Sequence, residues 1–269
     1  MKRIFFLLTV SLVSLACAAQ TAADSILTVP AGTTRIKAYA YADRTDIKSV
    51  VFAAPCSVTE IEDYAFIGCT SLKDVELPAS LRAIGEGAFR ECASLRHISI
   101  PNGVTKLPRY VFSWCTALET AKLPSSLNDL GSGCFAYCSA LSNINFPGRL
   151  LHIGANCFSF CQSLTEVSLP AGITELESYA FSECTGLTRA TLPANHHLLG
   201  ELIFSGCQAL ESIACGSMTP PKFDCNSTLF EDNESFMYER CLLLVPAKAV
   251  NLYRDAPAWE LFTTIESMK

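Results

Sequence analysis

Along most of the chain the apolar positions return every 23 residues. Phenylalanine stands at 66, 89, 112, 135, 158, 181 and 204, and cysteine at 69, 92, 115, 138, 161, 184 and 207. Leucine keeps the same step at 72, 95, 118, 141, 164, 187 and 210. Within one period, Leu72-x-x-Val75-x-Leu77 alternates with Asp74 and Glu76, which predicts a short strand with one buried and one wet face. Pro78 follows, and Pro101, Pro124, Pro147, Pro170 and Pro193 hold the same place later. Proline has no amide donor, so it belongs where a hydrogen-bonded ladder stops. A second apolar pair, as in Leu81 and Ile84, closes the period on its other side. Gly85, Gly131, Gly154 and Gly200 are expected to turn the chain there, because glycine adopts turn conformations at little steric cost. A fixed period of this length with one strand per unit predicts a solenoid of stacked parallel strands, not a globule around one cleft.

The ends of the array are less regular. Pro30, Ile36, Ala40, Tyr41 and Ile47 fill the slots of Pro78, Ile84, Ala88, Phe89 and Leu95, with Arg44 in place of the ladder cysteine. Two extra residues near Ala53–Cys56 separate this degenerate coil from the next. Eight coils carry the Phe/Tyr slot, so at ~4.8 Å per strand the stack is roughly 40 Å long. From Gly216 the period fails, and Thr219-Pro220-Pro221 is a break. Leu242–Val245 before Pro246 reads as one more strand displaced by an insertion, and Ala247–Asp255 as a short amphipathic helix. Trp259, Leu261, Phe262 and Ile265 form a dense apolar group. A solenoid needs its last core face covered. The expected organisation is therefore a leader at 1–19, a solenoid at 20–216, and a cap at 217–269 that belongs to the same domain.

The unit A-F-x-x-C-x-x-L…L-P, as in Ala88, Phe89, Cys92, Leu95 and Pro101, resembles the BspA-like leucine-rich repeats of bacterial surface proteins. The tail L-V-P-A-K-A-V-N-L-Y-R…W-E-L-F is similar to the C-terminal cap common in the Bacteroides members. The resemblance covers about residues 30–265. With the period, it places the chain in the α/β-type solenoid class, as a leucine-rich repeat with a stacked parallel β-sheet and a C-terminal cap. It implies a secreted or surface-attached protein linked to adhesion and to host or matrix binding. It carries over no catalytic residues.

Met1-Lys2-Arg3, an apolar run from Ile4 to Ala16 and small residues after it read as a secretory signal peptide, with cleavage expected after Ala18 or Ala19. The run is too short to span a membrane. Cys17 offers an alternative, lipidation after cleavage at Ala16, although Ser14 stands where a lipobox takes leucine. Export to the cell exterior or outer surface is the expectation in either case. Net charge is −6 with no basic stripe, so nucleic acid is not an expected partner.

Fourteen cysteines in an exported chain raise the question of disulfides. The ladder column answers it for seven of them. Stacked slots keep Cβ atoms near the ~4.8 Å strand spacing, beyond the usual ~3.8 Å of a disulfide, so free, buried thiols are expected. A disulfide among Cys215, Cys225 and Cys241 stays open. The spacing of Cys134 and Cys138 with Cys157 and Cys161 permits a four-thiolate zinc site, but the repeat explains every one of these positions, so neither metal nor cofactor is expected. His152 and His197 fall in polar slots and His196 in an apolar one. No nucleophile elbow, metalloprotease helix, phosphate loop or calcium loop is present, so an enzyme is not expected.

Two surfaces are candidate sites. The first is the wet face of the strands, with Asp74, His97, Asn143, Glu166 and Arg189 in one column and Glu76, Lys122 and Asn145 in the other. The second is the slot before the ladder cysteine, which runs Gly68, Glu91, Trp114, Tyr137, Phe160, Glu183, Gly206. Glycine and glutamate at its ends mark it as wet, yet three consecutive coils carry aromatics, and Tyr110 is expected to extend the strip. Exposed aromatic clusters favour partner binding, because they bury much area with little entropy lost. The expected partner is an unidentified extracellular protein or glycan. The alternative is a structural spacer or subunit of a surface assembly, with self-association through the strip.

Overall fold

Among the described residues, parallel strands stack in two columns. The computed structural model describes residues 25–194, 198–223, 228–230 and 236–268. The expected leader with Cys17, and also His196, His197 and Cys225, lie outside the described residues. The first column holds eleven strands, from Ile26–Val29 to Ile265–Ser267, in hydrogen-bonded groups of three, three and five. The second holds nine, from Arg35–Ile36 to Lys222–Phe223, in groups of three and six. The register repeats at 23 residues: His97 faces Thr120, which faces Asn143. Near the start of the stack Arg35 faces Glu60 and Ser49 faces Asp74, a step of 25 that absorbs the two extra residues. Buried and outward residues alternate along the first-column strands, as with Ile98 between exposed His97 and Ser99. That is the predicted alternation.

The core between the columns is a stack of rings and thiols. Tyr41 and the seven phenylalanines form one continuous pile, with centroids 5.2–6.0 Å apart and planes within 21°. Beside it each ladder thiol donates a hydrogen bond one coil back, to the carbonyl of the stacked ring residue. Cys92 reaches Phe66 O at 3.3 Å, Cys115 reaches Phe89 O at 3.2 Å, and the pattern runs from Cys69 to Cys207. From Phe66 to Phe158 the same carbonyl also accepts the amide of the cysteine three residues on in its own coil, so both lone pairs of a buried oxygen are used. All seven ladder cysteines are buried thiols, none of them in a disulfide. Burial pushes the Cys69 thiol up to about 11 and the Cys115 thiol to about 12.

The third side of each coil is a run of tight turns. The amides of Tyr110, Phe112 and Trp114 donate to the carbonyls of Ser132, Cys134 and Ala136 in the next coil. The glycines of the second turn serve a different purpose from the one expected. Gly85, Gly131, Gly154 and Gly200 do not take left-handed dihedrals. A Cβ on Gly154 would instead lie 2.5 Å from Ser132 N of the preceding coil. Glycine is there because neighbouring backbones touch, not because the chain needs an unusual dihedral.

Beyond Gly216 the ladder continues. Ser212 faces Leu242, a step of 30, and Leu243 faces Ile265. The insertion carries the strand Lys222–Phe223 and the helix Phe236–Arg240, neither of which the sequence pattern announces. The expected helix after Pro246 is a 3-10 turn at Ala247–Ala249 running into the helix Val250–Arg254. Trp259 is fully buried, donates its indole N–H to Pro221 O at 2.8 Å, and packs on Phe223, Tyr253 and Phe262. Leu261, expected in the same apolar group, is exposed at the rim of a cleft instead. Cys215 and Cys241 are free thiols, and Cys215 accepts the Tyr253 hydroxyl at 3.1 Å.

Truncating Trp259 to Ala is expected to cost ~3–5 kcal/mol by urea unfolding; a loss under ~1 kcal/mol would show that the tryptophan does not hold the end of the stack. The thiols make a second expectation. Burial keeps them protonated where the unfolded chain ionises them, from about pH 8.5, so above that pH the unfolded chain binds fewer protons and stability falls as pH rises. The melting temperature should be flat around neutrality and drop through the alkaline range. A thiol reagent should label few cysteines in the native protein and at least seven after denaturation without reductant. Rapid native labelling, or alkaline melting equal to neutral, would contradict the buried ladder.

Candidate functional site

The aromatic strip is built on an unusual backbone. The slot before each ladder cysteine has positive φ in every coil: Asp43 56°, Gly68 69°, Glu91 63°, Trp114 64°, Tyr137 63°, Phe160 62°, Glu183 57° and Gly206 75°. Non-glycine residues sit in this region at a cost of ~1 kcal/mol or more. This changes the meaning of the slot's glycines. Gly68 and Gly206 are buried, under the side chains of Asp43 and Glu183 of the preceding coil. They mark a left-handed turn, not a wet surface as the sequence suggested.

Trp114, Tyr137 and Phe160 stack on one another with centroids 4.0 and 4.5 Å apart and planes 8° and 6° from parallel. Trp114 keeps 43% of its surface exposed, while Tyr137 and Phe160 are half-buried. Stacking of this kind contributes ~0.5–1.5 kcal/mol per pair, about what the left-handed backbone costs. The rings are therefore close to neutral for stability, and glycine would be the relaxed choice at each.

Tyr110 does not extend the strip. It belongs to a second left-handed slot four residues earlier, with Tyr39, Tyr64 and Tyr179. Its ring lies over Gly133, with the Arg90 guanidinium 5.8 Å from the ring centre. No ring contact joins it to Trp114 among the described residues. The sequence does not reveal this column, because tyrosine, glycine and asparagine share no chemistry; they share only the dihedral.

The strand face is as exposed as its alternation predicts. Asp74, Glu76, His97, Lys122, Asn143, Asn145, Glu166 and Arg189 all point to solvent. His97 Nδ1 lies 2.9 Å from Thr120 Oγ1, and Arg189 meets Glu166 at 3.3 Å. Asp74, Glu76, His97 and Lys122 line a cleft of about 870 Å³, whereas Asn143, Asn145, Glu166 and Arg189 lie outside it. His152, read from sequence only as polar, is half-buried against acidic side chains of both neighbouring coils.

Stacked parallel coils, a thiol ladder and surface slots that vary freely define a leucine-rich-repeat solenoid. The chain belongs to the BspA-type leucine-rich repeat family: that repeat region, in six copies, matches residues 34–159 and 131–222. Solenoids of this family are typically non-enzymatic and serve protein interaction. Among solved structures, the chain is similar to a leucine-rich repeat protein of T. pallidum. The two are 32% identical over 61% of this chain and 78% of that one, with a TM-score of 0.56. A leucine-rich repeat protein of Eubacterium ventriosum shares the fold at 16% identity, over 90% of this chain and 73% of that one, with a TM-score of 0.52. No curated protein matches the chain. No helix among the described residues is long and apolar enough to cross a membrane.

The backbone strain predicts an ordering of variants. Trp114→Gly should stay within ~1 kcal/mol of the natural protein, and Trp114→Ala should be less stable than Trp114→Gly by ~1 kcal/mol, since alanine keeps the strained turn without the stack. Urea unfolding of the three proteins measures this; a loss of ~3 kcal/mol in the glycine variant would return the tryptophan to the core.

Proposed function

We propose that this is an exported, non-enzymatic protein of the cell exterior that binds another protein through the ridge of Trp114, Tyr137 and Phe160. One observation carries the proposal: the three stacked rings occupy left-handed positions that glycine fills without strain in other coils. Large side chains kept where they add nothing to stability serve the surface they make. The ring faces are already used against each other, so the edges point outward. A ligand that stacks on an aromatic face, as a sugar ring does, finds only the two outer faces of the pile. A ridge of edges instead suits an apolar groove on a protein, where rigid aromatics bury area at low entropic cost. Glu183 closes the column beyond Phe160, which favours a partner with a cation at that end. Export is supported by the charged start and apolar run of residues 1–16. Adhesion to a host or matrix component is what the family resemblance implies.

The test pairs the natural protein with a variant carrying Trp114→Gly, Tyr137→Glu and Phe160→Gly, residues that other coils hold in the same slot. Both are applied to arrays of extracellular proteins and of glycans, and their mass in solution is measured by light scattering. The natural protein should bind a protein target at least tenfold more tightly than the variant. Binding that survives in the variant would move the site to the cleft over Asp74, Glu76, His97 and Lys122. Strip-dependent binding to glycans alone would make the protein a lectin. Strip-dependent self-association alone would make it a structural subunit.

A further inference from the structure

Asp129, His152 and Glu175 share one register position in three successive second-column strands, Asp129–Leu130, His152–Ile153 and Glu175–Leu176. A histidine is thus stacked between two carboxylates. Glu177 adds a third. It stands in the slot of Gly154 and Gly200, where adjoining backbones touch, so a long side chain there departs from the repeat. Its Oε2 accepts the Ala155 amide at 2.8 Å, which leaves Oε1 2.8 Å from His152 Nε2. Glu175 Oε2 lies 3.9 Å from the same nitrogen. On the other side of the ring, Nδ1 is 3.1 Å from Asp129 Oδ1.

We propose that His152 Nε2, Glu175 and Glu177 form a binding site for a divalent transition-metal ion of the zinc type, with Asp129 as the positioning residue that orients the imidazole. One atom from each of the three ligands lies within 4.8 Å of the others, the one such group among the described residues. Tetrahedral bonds of about 2.0–2.1 Å set ligand atoms about 3.3–3.4 Å apart. The distances of 2.8 and 3.9 Å from Nε2 lie on either side of that value, and rotation of the exposed Glu175 side chain closes the set around one ion. A carboxylate on the non-ligating nitrogen is the usual outer partner of a zinc-bound histidine, because it fixes the ring and raises its basicity. The imidazole selects against calcium and magnesium, which take oxygen ligands.

A second copy of the glutamate slot shows what glutamate does there without a metal set. Glu62 likewise accepts an amide of the preceding coil, from Ala38 at 3.1 Å, but its other partner is Lys37 at 3.0 Å. An ammonium repels a cation. Glu60, the counterpart of Glu175, is likewise taken by a cation, Arg35 at 3.1 Å. The His152 copy puts a neutral-capable nitrogen in place of these cations and adds an orienting aspartate. Three protein ligands leave a fourth position for water or a partner's side chain, and Glu175 and Glu177 also line a cleft of about 550 Å³. A bound ion would clamp the coil of His152 to the coil of Glu175 and Glu177.

Tag-free protein is titrated with Zn²⁺ in competition with a chromophoric chelator, and with Co²⁺ followed by its visible d–d absorption. One equivalent should bind with micromolar or tighter affinity. The cobalt spectrum should lack the near-ultraviolet thiolate charge-transfer band that bound cysteines would add. His152→Gln should abolish binding, Glu175→Gln and Glu177→Gln should weaken it at least tenfold, and Asp129→Asn about 10- to 100-fold. Circular dichroism of each variant checks that the solenoid is intact. Should a variant not fold, anomalous diffraction at the zinc edge from the natural protein decides instead, by placing the ion at His152 or elsewhere. No binding at 100 µM metal, undiminished binding in folded His152→Gln, or a thiolate band would overturn the assignment.

Discussion

From Phe66 to Phe204, each coil sets a ring on the ring below it and a thiol on the carbonyl beside that ring. Both contacts tie a residue to the coil before it, at 5.2–6.0 Å for the rings and 3.1–3.3 Å for the thiols. A coil one residue longer or shorter between these points would lift its ring and thiol out of register and leave a buried carbonyl short of a donor. This is why the 23-residue step tolerates so little. The chain does add residues, two between the strands Ser49–Phe52 and Glu60–Ile61 and more between Ser212–Cys215 and Leu242–Val245. Both additions fall between strands. The second lies after Phe204 and Leu210, where the ring column has ended and nothing further must be kept in step.

With the inward slots committed, variation is left to the outward ones, and two departures from the repeat stand out. In the slot before the ladder cysteine, the left-handed turn admits glycine freely, and three coils carry stacked aromatics there. In the second-turn slot, where coils touch backbone to backbone, Glu177 replaces glycine and reaches His152. Each departure is local, spans two or three coils, and leaves the ladder intact. A solenoid allows this because each repeat answers only to its neighbours. The aromatic ridge and the histidine cluster share coils but use different slots of them: Asp129 and His152 stand in second-column strands, Tyr137 and Phe160 in the turns before the ladder cysteine.

Much of the fold was legible in the sequence because its controlling contacts repeat in the sequence. Phe66 and Cys69 predict Phe89 and Cys92, and the alternation in Leu72-x-x-Val75-x-Leu77 declares which side is buried. The cap was less legible. Its strand at Leu242–Val245 could be found from composition, but Lys222–Phe223 and Phe236–Arg240 occur once, and a segment that occurs once offers no period to compare. The aromatic residues of the strip were visible as residue types. That they stand on strained turns was not, because a dihedral leaves no mark on composition until several coils are seen to share it.

The sequence by itself determined the coil length, the identity of the stacked column and the exposure of the strand face, since each follows from hydrophobic spacing read against a strand period of two. Tertiary structure decided the rest. It showed that Gly154 is small to admit a neighbour's backbone, that Tyr110 belongs to a different column from Trp114, and that His152 meets Glu177 from the next coil. These are distances between atoms some twenty residues or more apart in the chain. They depend on how far each turn carries the side chain before the next coil is laid down, a quantity set by backbone dihedrals and packing together and by no single residue type.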